Sequence, residues 1–317
     1  MFLQFLLLSL GLVLLWGGAE LLIRNSSALA HSLGLSPMII GLTVVSIGTS
    51  LPEFVVSLMA ALQNTMGMSI GNIVGSNITN ICLILGVGAF LTNLQVRKGW
   101  VYKEVPFMIL ATLVFLLFSR THYIISRWEG LLLLLLLTLF LVYLSRASVL
   151  QMQDSSEKKH SIEKIPISRN LVFFVLALIG MIILIGGSKI TVNSGTVLAR
   201  NFGVSDVVIG LTLIALGTSL PELATTIVGA IRKETDIVVG NVIGSNIFNL
   251  LFIGGAVSTL KPLQIPPEFF SFEIIFLLGS SLLIWPFMRF QWNIHRIEGA
   301  VLLFIYILFI GLTFVYQ

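Results

Sequence analysis

Apolar runs of about twenty residues recur along the whole chain, separated by short polar stretches. A run of that length crosses a bilayer as a helix, at about 1.5 Å per residue. Ten such spans can be drawn, at 3–24, 36–62, 68–92, 103–119, 128–146, 170–192, 205–231, 237–260, 270–288 and 297–316. The pattern predicts an all-α polytopic membrane protein. The first run has no basic stretch ahead of it and continues to Ile23, so it reads as a permanent span and not a cleaved signal. The longest connection, 147–169, carries the polar, unpatterned stretch Gln151 to His160 and reads as a flexible linker.

The pattern also repeats. Adding 169 takes Gly41 to Gly210, Glu53 to Glu222, Asn80 to Asn249 and Glu129 to Glu298 without a gap. Nine of thirteen residues are identical between 41–53 and 210–222, and seven of ten between 71–80 and 240–249. Gly17-Gly18 matches Gly186-Gly187, so the first span belongs to the repeat. Each half, 1–146 and 170–317, holds five spans. An odd number sends the second half into the membrane from the opposite side, so the repeats are inverted. Secondary transporters use that plan, with broken helices and a binding site near the midplane where the repeats meet.

Composition sharpens this. Only 10% of residues are charged, against about 25% in an ordinary soluble domain. The net charge of +4 sits in short loops, where it sets orientation and gives no reason to expect a nucleic-acid partner. With the N-terminus outside, thirteen of the 18 Lys and Arg lie on the cytoplasmic side and five do not. The positive-inside rule then places both termini outside a cell membrane and the 147–169 linker in the cytoplasm. Lys189 fits least well, because it falls within the sixth span. A lone cysteine, Cys82, excludes an internal disulfide and reads as a small packing residue. Trp16, Trp100, Trp128, Trp285 and Trp292 sit near span ends, as an aromatic belt does.

Four polar islands interrupt the apolar runs. Two read Gly-Thr-Ser-Leu-Pro-Glu, at 48–53 and 217–222. Two read Gly-Asn-x-x-Gly-Ser-Asn, at 71–77 and 240–246. Charged residues deep in a span are costly and usually functional. Pro52 offers no N–H to the turn before it, so the span breaks near Thr49 and a new half-helix begins. Ser50 and Glu53 have the spacing of a capping box, which is the ordinary role for such a pair. Carbonyls before the break, such as those of Val45 and Ser46, lose helical partners, and a bound cation is one replacement. The second copy repeats this around Ala215, Thr218 and Ser219. In the other islands, Gly71, Gly75, Gly240 and Gly244 are spaced for close helix packing. Ser76 and Asn80 share a helix face, as do Ser245 and Asn249. Asn77 and Asn246 lie on another face and read as structural, while Asn72 and Asn241 could be either.

Pooled, these are hard oxygen ligands with no His or Cys, which suits Ca²⁺ and Na⁺ and not zinc or copper. One Ca²⁺ neutralises two glutamates. Without it, two close carboxylates need Na⁺ or protons, so the site should cross the membrane only when compensated.

At these islands the sequence resembles the calcium/cation antiporter superfamily, specifically its prokaryotic Na⁺/Ca²⁺ exchanger branch, over essentially the whole chain. The resemblance implies Na⁺ for Ca²⁺ exchange by alternating access, the first and sixth spans sliding across the other eight. It implies Glu53 and Glu222 as shared Ca²⁺/Na⁺ ligands, with backbone or hydroxyl oxygens from Thr49 and Thr218. It implies Ser50, Ser76, Ser219 and Ser245 at flanking Na⁺ positions, with the carbonyls of Ser46 and Ala215. Asn80 and Asn249 would line the middle. Many relatives have Asp where this chain has Asn249, and K⁺-dependent exchangers resemble the Asp pattern, so K⁺ cotransport is not expected.

Other readings compete. H⁺/Ca²⁺ antiport uses the same glutamates, but a proton needs no hydroxyl-rich cage. A membrane-embedded enzyme with Glu53 or Glu222 as general base lacks accompanying catalytic residues, and duplication would serve no purpose. A channel fits inverted broken helices less well than alternating access does. No cofactor beyond the transported ions is expected. The bilayer is the remaining partner, and a monomer is sufficient because the repeats complete a site within one chain. Glu129 and Glu298 open spans and read as helix-start caps or interface anchors. His31, His122, His160 and His295 receive no role.

Overall fold

The computed structural model describes residues 1–158, 167–204, 215–267 and 272–316. Among the described residues, twelve helices and four two-residue strands follow in order. They are α1 (Phe2–Leu33), α2 (Pro37–Thr49), α3 (Leu51–Leu62), α4 (Met66–Leu91), β1 (Leu94–Gln95), α5 (Lys98–Tyr102), α6 (Glu104–Arg120), β2 (Ile124–Ile125) and α7 (Arg127–Lys158). Then come α8 (Ile167–Asn201), α9 (Leu220–Ile231), α10 (Thr235–Leu260), β3 (Leu263–Gln264), α11 (Glu273–Arg289), β4 (Asn293–Ile294) and α12 (Arg296–Tyr316). A helical turn, Ala215–Gly217, precedes α9.

Seven helices among the described residues are long and apolar enough to cross a membrane, and the α2–α3 pair, bent by 42°, makes an eighth. The chain is a helical membrane protein. The shorter α9 and α11 coincide with the seventh and ninth apolar runs, and residues 205–214 of the seventh lie outside the described residues.

Three boundaries differ from expectation. α1 runs to Leu33 and α8 from Ile167 to Asn201, beyond the apolar runs 3–24 and 170–192. At about 1.5 Å per residue, such helices exceed the ~30 Å hydrocarbon core, so they tilt or protrude. Hydropathy falls after Ile23, but nothing breaks the helix until a left-handed glycine, Gly34 at φ 68°. Gly203, at φ 81°, stands at the equivalent position after α8. The stretch read as a flexible linker is helical through Lys158, because polarity alone does not stop a helix and 147–158 contain neither Gly nor Pro.

The 169-residue offset reappears as paired contacts. A Cβ on Gly18 would lie 2.6 Å from the Leu184 nitrogen and 2.8 Å from the Gly180 carbonyl. One on Gly187 would lie 2.7 Å from the Leu15 nitrogen and 3.0 Å from the Gly11 carbonyl. Gly11 and Gly18 become Gly180 and Gly187 on adding 169, so α1 and α8 touch backbone to backbone through matching glycines. Gly86 against Gly299 and Gly130 against Gly255 repeat this between α4 and α12 and between α7 and α10. The strands do the same. β1 pairs antiparallel with β4, Leu94 opposite Ile294, and β2 with β3, Ile125 opposite Leu263. On α6 and α11, the Thr112 hydroxyl donates to its own counterpart, Ser281, at 3.4 Å.

α4 and α10 form the centre. Their apolar stretches are 78% and 94% buried, against 33% for α1. Both carry a Gly-Asn-x-x-Gly-Ser-Asn island, and α2–α3 and α9 lie against them. The polar islands are thus brought to the most enclosed part of the molecule. Trp100, placed in the aromatic belt by sequence, is buried in the core.

Candidate cation site

The breaks form where the prolines require them. Ser50 leaves helical geometry at φ −82°, ψ 2°, and Ser219 at φ −91°, ψ 5°. Pro52 and Pro221 sit in the first turns of α3 and α9, and neither can serve the carbonyl four residues back. In the first half a backbone N–H at the break reaches the Gly48 carbonyl. In the second, the Ser188 hydroxyl on α8 donates to the Gly217 carbonyl at 2.9 Å. The expected loss of a partner at Ser46 does not occur. Its carbonyl accepts the Ser50 N–H at 3.0 Å and the Thr49 hydroxyl at 3.4 Å. Of Ala215 the structure gives its place at the start of the 215–217 turn.

The capping box also fails to form. Neither serine caps its own helix. The Ser50 hydroxyl donates to Glu222 Oε1 at 3.3 Å, and the Ser219 hydroxyl to Glu53 Oε1 at 3.0 Å. A hydrogen bond to a carboxylate is stronger than one to a neutral group, so the serines reach across to the other half. Glu53 and Glu222 are 1% and 0% exposed, each in the first turn of its helix, where the helix dipole favours negative charge.

The threonines are held as well. Thr49 donates to Asn241 Oδ1 at 3.3 Å, and Thr218 to Asn72 Oδ1 at 3.4 Å. Each hydroxyl gives up its hydrogen but keeps its lone pairs, so either threonine can offer a hydroxyl or a backbone oxygen. Asn72 also donates to the Glu53 carbonyl at 3.0 Å and to the Ser57 hydroxyl at 2.8 Å, and Asn241 donates to Thr225 at 3.2 Å. Sequence left these two asparagines undecided. Their matching positions, one residue into each Gly-Asn-x-x-Gly island, were the available signal. Asn77 donates to the Ile73 carbonyl at 2.7 Å, with its Oδ1 unpaired among the described residues, and its counterpart Asn246 has neither amide atom paired there.

Further atoms are buried without a hydrogen-bond partner among the described residues. Those in and around the polar islands include Glu53 Oε2, Glu222 Oε2, both amide atoms of Asn80 and of Asn249, and the Ser245 hydroxyl. Ser76 is buried beside Asn77. Asn80 and Asn249 fall in widened π-helical stretches, 79–85 and 248–253, a feature frequent at functional sites. Buried polar atoms are normally paired, so such a cluster marks a place built for a ligand. The unpaired oxygens are carboxylate, amide and hydroxyl, the set that hard cations take.

The glycines divide. A Cβ on Gly244 would lie 2.5 Å from the Leu42 carbonyl, and one on Gly240 the same distance from the Met38 carbonyl, so both let α2 approach α10. A Cβ on Gly71 or Gly75 would meet nothing within 4 Å among the described residues, and the counterparts of Met38 and Leu42, Val207 and Leu211, lie outside them.

A model of the sodium/calcium exchanger protein family matches the chain twice, over residues 3–146 and 172–315. The chain belongs to the sodium/calcium exchanger family. Both matches are the same length and lie 169 residues apart, as the paired contacts do. The sodium/calcium exchanger MaX1 of Methanosarcina acetivorans is 31% identical over 98% of each chain. The inner membrane protein YrbG of Escherichia coli is 40% identical over 87% of this chain and 86% of its own. A solved structure of the sodium-calcium exchanger NCX_Mj, soaked with Na⁺ and Sr²⁺, superposes with a TM-score of 0.85, at 32% identity over 98% of each chain. The family, MaX1 and NCX_Mj are exchangers, which are transporters and not enzymes.

Proposed function

We propose that this exchanger-family protein moves Ca²⁺ against Na⁺ by alternating access, through ten spans arranged as inverted halves, 1–146 and 170–317, joined by a cytoplasmic segment at 147–169. The observation that carries this is the reciprocal pair Ser50–Glu222 and Ser219–Glu53. Each glutamate has one oxygen held by the opposite half and one unpaired, so neither half builds the site alone. The matching contacts of α1 with α8 and of β1 with β4 support the inverted arrangement.

In this reading Glu53 and Glu222 supply the charge that one Ca²⁺ neutralises, and backbone or hydroxyl oxygens of Thr49 and Thr218 and the Asn80 and Asn249 amide oxygens complete its shell. Na⁺ takes the same carboxylates with Ser50, Ser76, Ser219 and Ser245. Carbonyls of Ser46 and Ala215 join that shell. For Ser46, which already accepts two donors, the Thr49 hydroxyl has to turn away first. Two bare carboxylates in a buried site repel, so Ca²⁺ departs as Na⁺ arrives. Both termini lie outside the cell membrane, and one chain suffices.

The test is uptake of radioactive calcium into proteoliposomes loaded with Na⁺ and diluted into Na⁺-free buffer, beside a set carrying only an outward proton gradient. Uptake driven by Na⁺ and lost in Glu53→Gln is expected. Uptake driven by protons alone would move the assignment to H⁺/Ca²⁺ antiport. Uptake with neither gradient would indicate a channel.

A further inference from the structure

The two faces of the molecule share a backbone plan but not a charge plan. On the face holding β1 and β4, Trp292 stands in a left-handed conformation, φ 58°, and its carbonyl accepts the Val96 N–H at 2.8 Å. The main chain that carries the indole is thus held in place. Lys98 Nζ lies 5.1 Å from the centre of that ring, and the Arg289 guanidinium 4.9 Å. The same guanidinium is 5.4 Å from the Tyr102 ring, which lies 5.9 Å from Trp292. Both cations are exposed.

Neither Lys98 nor Arg289 makes an ion pair among the described residues. Among the acids on this face, Asp236 is taken by Arg97 at 2.8 Å, Glu234 accepts the Ser27 hydroxyl at 2.8 Å, and Glu298 accepts the His295 N–H at 3.0 Å. On the opposite face the positions of Lys98, Arg289 and Trp292 hold Pro267, Arg120 and Tyr123. A proline there replaces one cation of the pair. The paired cations are thus a property of one face and not of the fold.

We propose that Lys98 and Arg289, aligned on Trp292 and Tyr102, bind the phosphate of an anionic phospholipid. Cation–π contacts hold both positive groups in place without neutralising them, which leaves their charge for an anion. An exposed apolar surface continues from the clamp: Phe290 beside Arg289, and Leu282 and Trp285 further back along α11. Trp285 donates to the Val101 carbonyl at 3.0 Å and ties α11 to α5 under the clamp. A free phosphate would have no use for that surface, whereas acyl chains would cover it. By the proposed orientation this face borders the cytoplasmic leaflet, where anionic lipids attract basic residues.

The experiment needs no transport, so it succeeds or fails apart from the exchanger reading. Detergent-purified full-length protein is titrated with brominated phosphatidylglycerol or brominated phosphatidylcholine, and tryptophan quenching is followed. Saturable quenching by the glycerol lipid is expected at concentrations about tenfold below those needed with the choline lipid. It should weaken about tenfold in Lys98→Gln/Arg289→Gln and persist in Arg120→Gln on the opposite face. Melting temperature in the same detergent shows that the variants are folded, and the comparison of the two lipids on unaltered protein needs no variant. Equal quenching by both lipids, or no effect of the double substitution in folded protein, would overturn the proposal. Displacement of the lipid by inorganic phosphate at equal concentration would also overturn it, making free phosphate the ligand.

Discussion

Ser219 Oγ lies 3.0 Å from Glu53 Oε1, a bond between residues 166 positions apart in the two halves of the chain. Its counterpart runs from Ser50 to Glu222 at 3.3 Å. The two bonds orient both carboxylates with one oxygen each left unpaired. Hydrogen bonds to charged groups contribute about 1.5–3 kcal/mol, roughly ten- to a hundredfold in an equilibrium constant. Ser219→Ala should therefore raise the Ca²⁺ concentration for half-maximal uptake by about tenfold, while Ser219→Thr keeps the hydroxyl and most of the affinity. An unchanged calcium dependence in Ser219→Ala would remove the bond from the mechanism.

Binding should also appear as stability. A ligand that binds only the folded protein stabilises it by about 2.7 kcal/mol at a hundred times its dissociation constant. Melting temperature should rise with added Ca²⁺ and fall on chelation. Glu53→Gln should lose that dependence while remaining folded, since one of two repelling carboxylates is removed. A calcium-dependent rise that survives Glu53→Gln/Glu222→Gln would place the ion elsewhere.

The same Ser-x-x-Glu spacing has two outcomes in this chain, and this shows where sequence reading ended. Ser126 and Glu129 make the capping box at the start of α7, with the Ser126 N–H and hydroxyl both 2.7 Å from Glu129 Oε2. Ser50 and Glu53 do not, because a carboxylate of the other half is within reach. Local spacing cannot register a partner 172 residues away. The glutamates, the breaks and the repeat were legible because they are written as identical strings at one offset. The roles of Asn72 and Asn241 were not, because each also accepts a threonine hydroxyl from the opposite half. Helix ends were misplaced for a different reason. Hydropathy marks where lipid stops, but Gly34 and Gly203 mark where the helices stop.

Adjacent glycines in α1 make opposite predictions. A Cβ on Gly18 would meet the α8 backbone at 2.6 Å, whereas one on Gly17 would meet nothing within 4 Å among the described residues. Overpacking typically costs about 1–3 kcal/mol. Gly18→Ala should lower the melting temperature by several degrees and slow transport, and Gly17→Ala should do neither. Equal effects would show that the α1–α8 contact is not close in the membrane.

Orientation can be read from the paired strands. Gln95 on β1 and Gln264 on β3 occupy matching positions in the two halves and are both exposed, while Cys82 is buried. In a Cys82→Ala background, Gln264→Cys should react with a membrane-impermeant maleimide added to intact cells. Gln95→Cys should react only in inverted vesicles. Labelling of both from one side would contradict an inverted repeat, and the reversed pattern would invert the orientation.

The two breaks are not equivalent, and the difference can be measured. Pro221 leaves the Gly217 carbonyl without its helical donor, and the Ser188 hydroxyl supplies one at 2.9 Å. The position matching Ser188 in the first half is Ala19, which has no hydroxyl to give. A buried carbonyl left unpaired costs about 1–3 kcal/mol. Ser188→Ala should therefore destabilise the second break, with a lower melting temperature and reduced calcium uptake, and Ser188→Thr should restore both. Ala19→Ser should leave stability nearly unchanged, because a backbone N–H already reaches the Gly48 carbonyl. If Ser188→Ala melts like the unaltered protein, the Gly217 carbonyl has another donor and the two breaks are equivalent in solution.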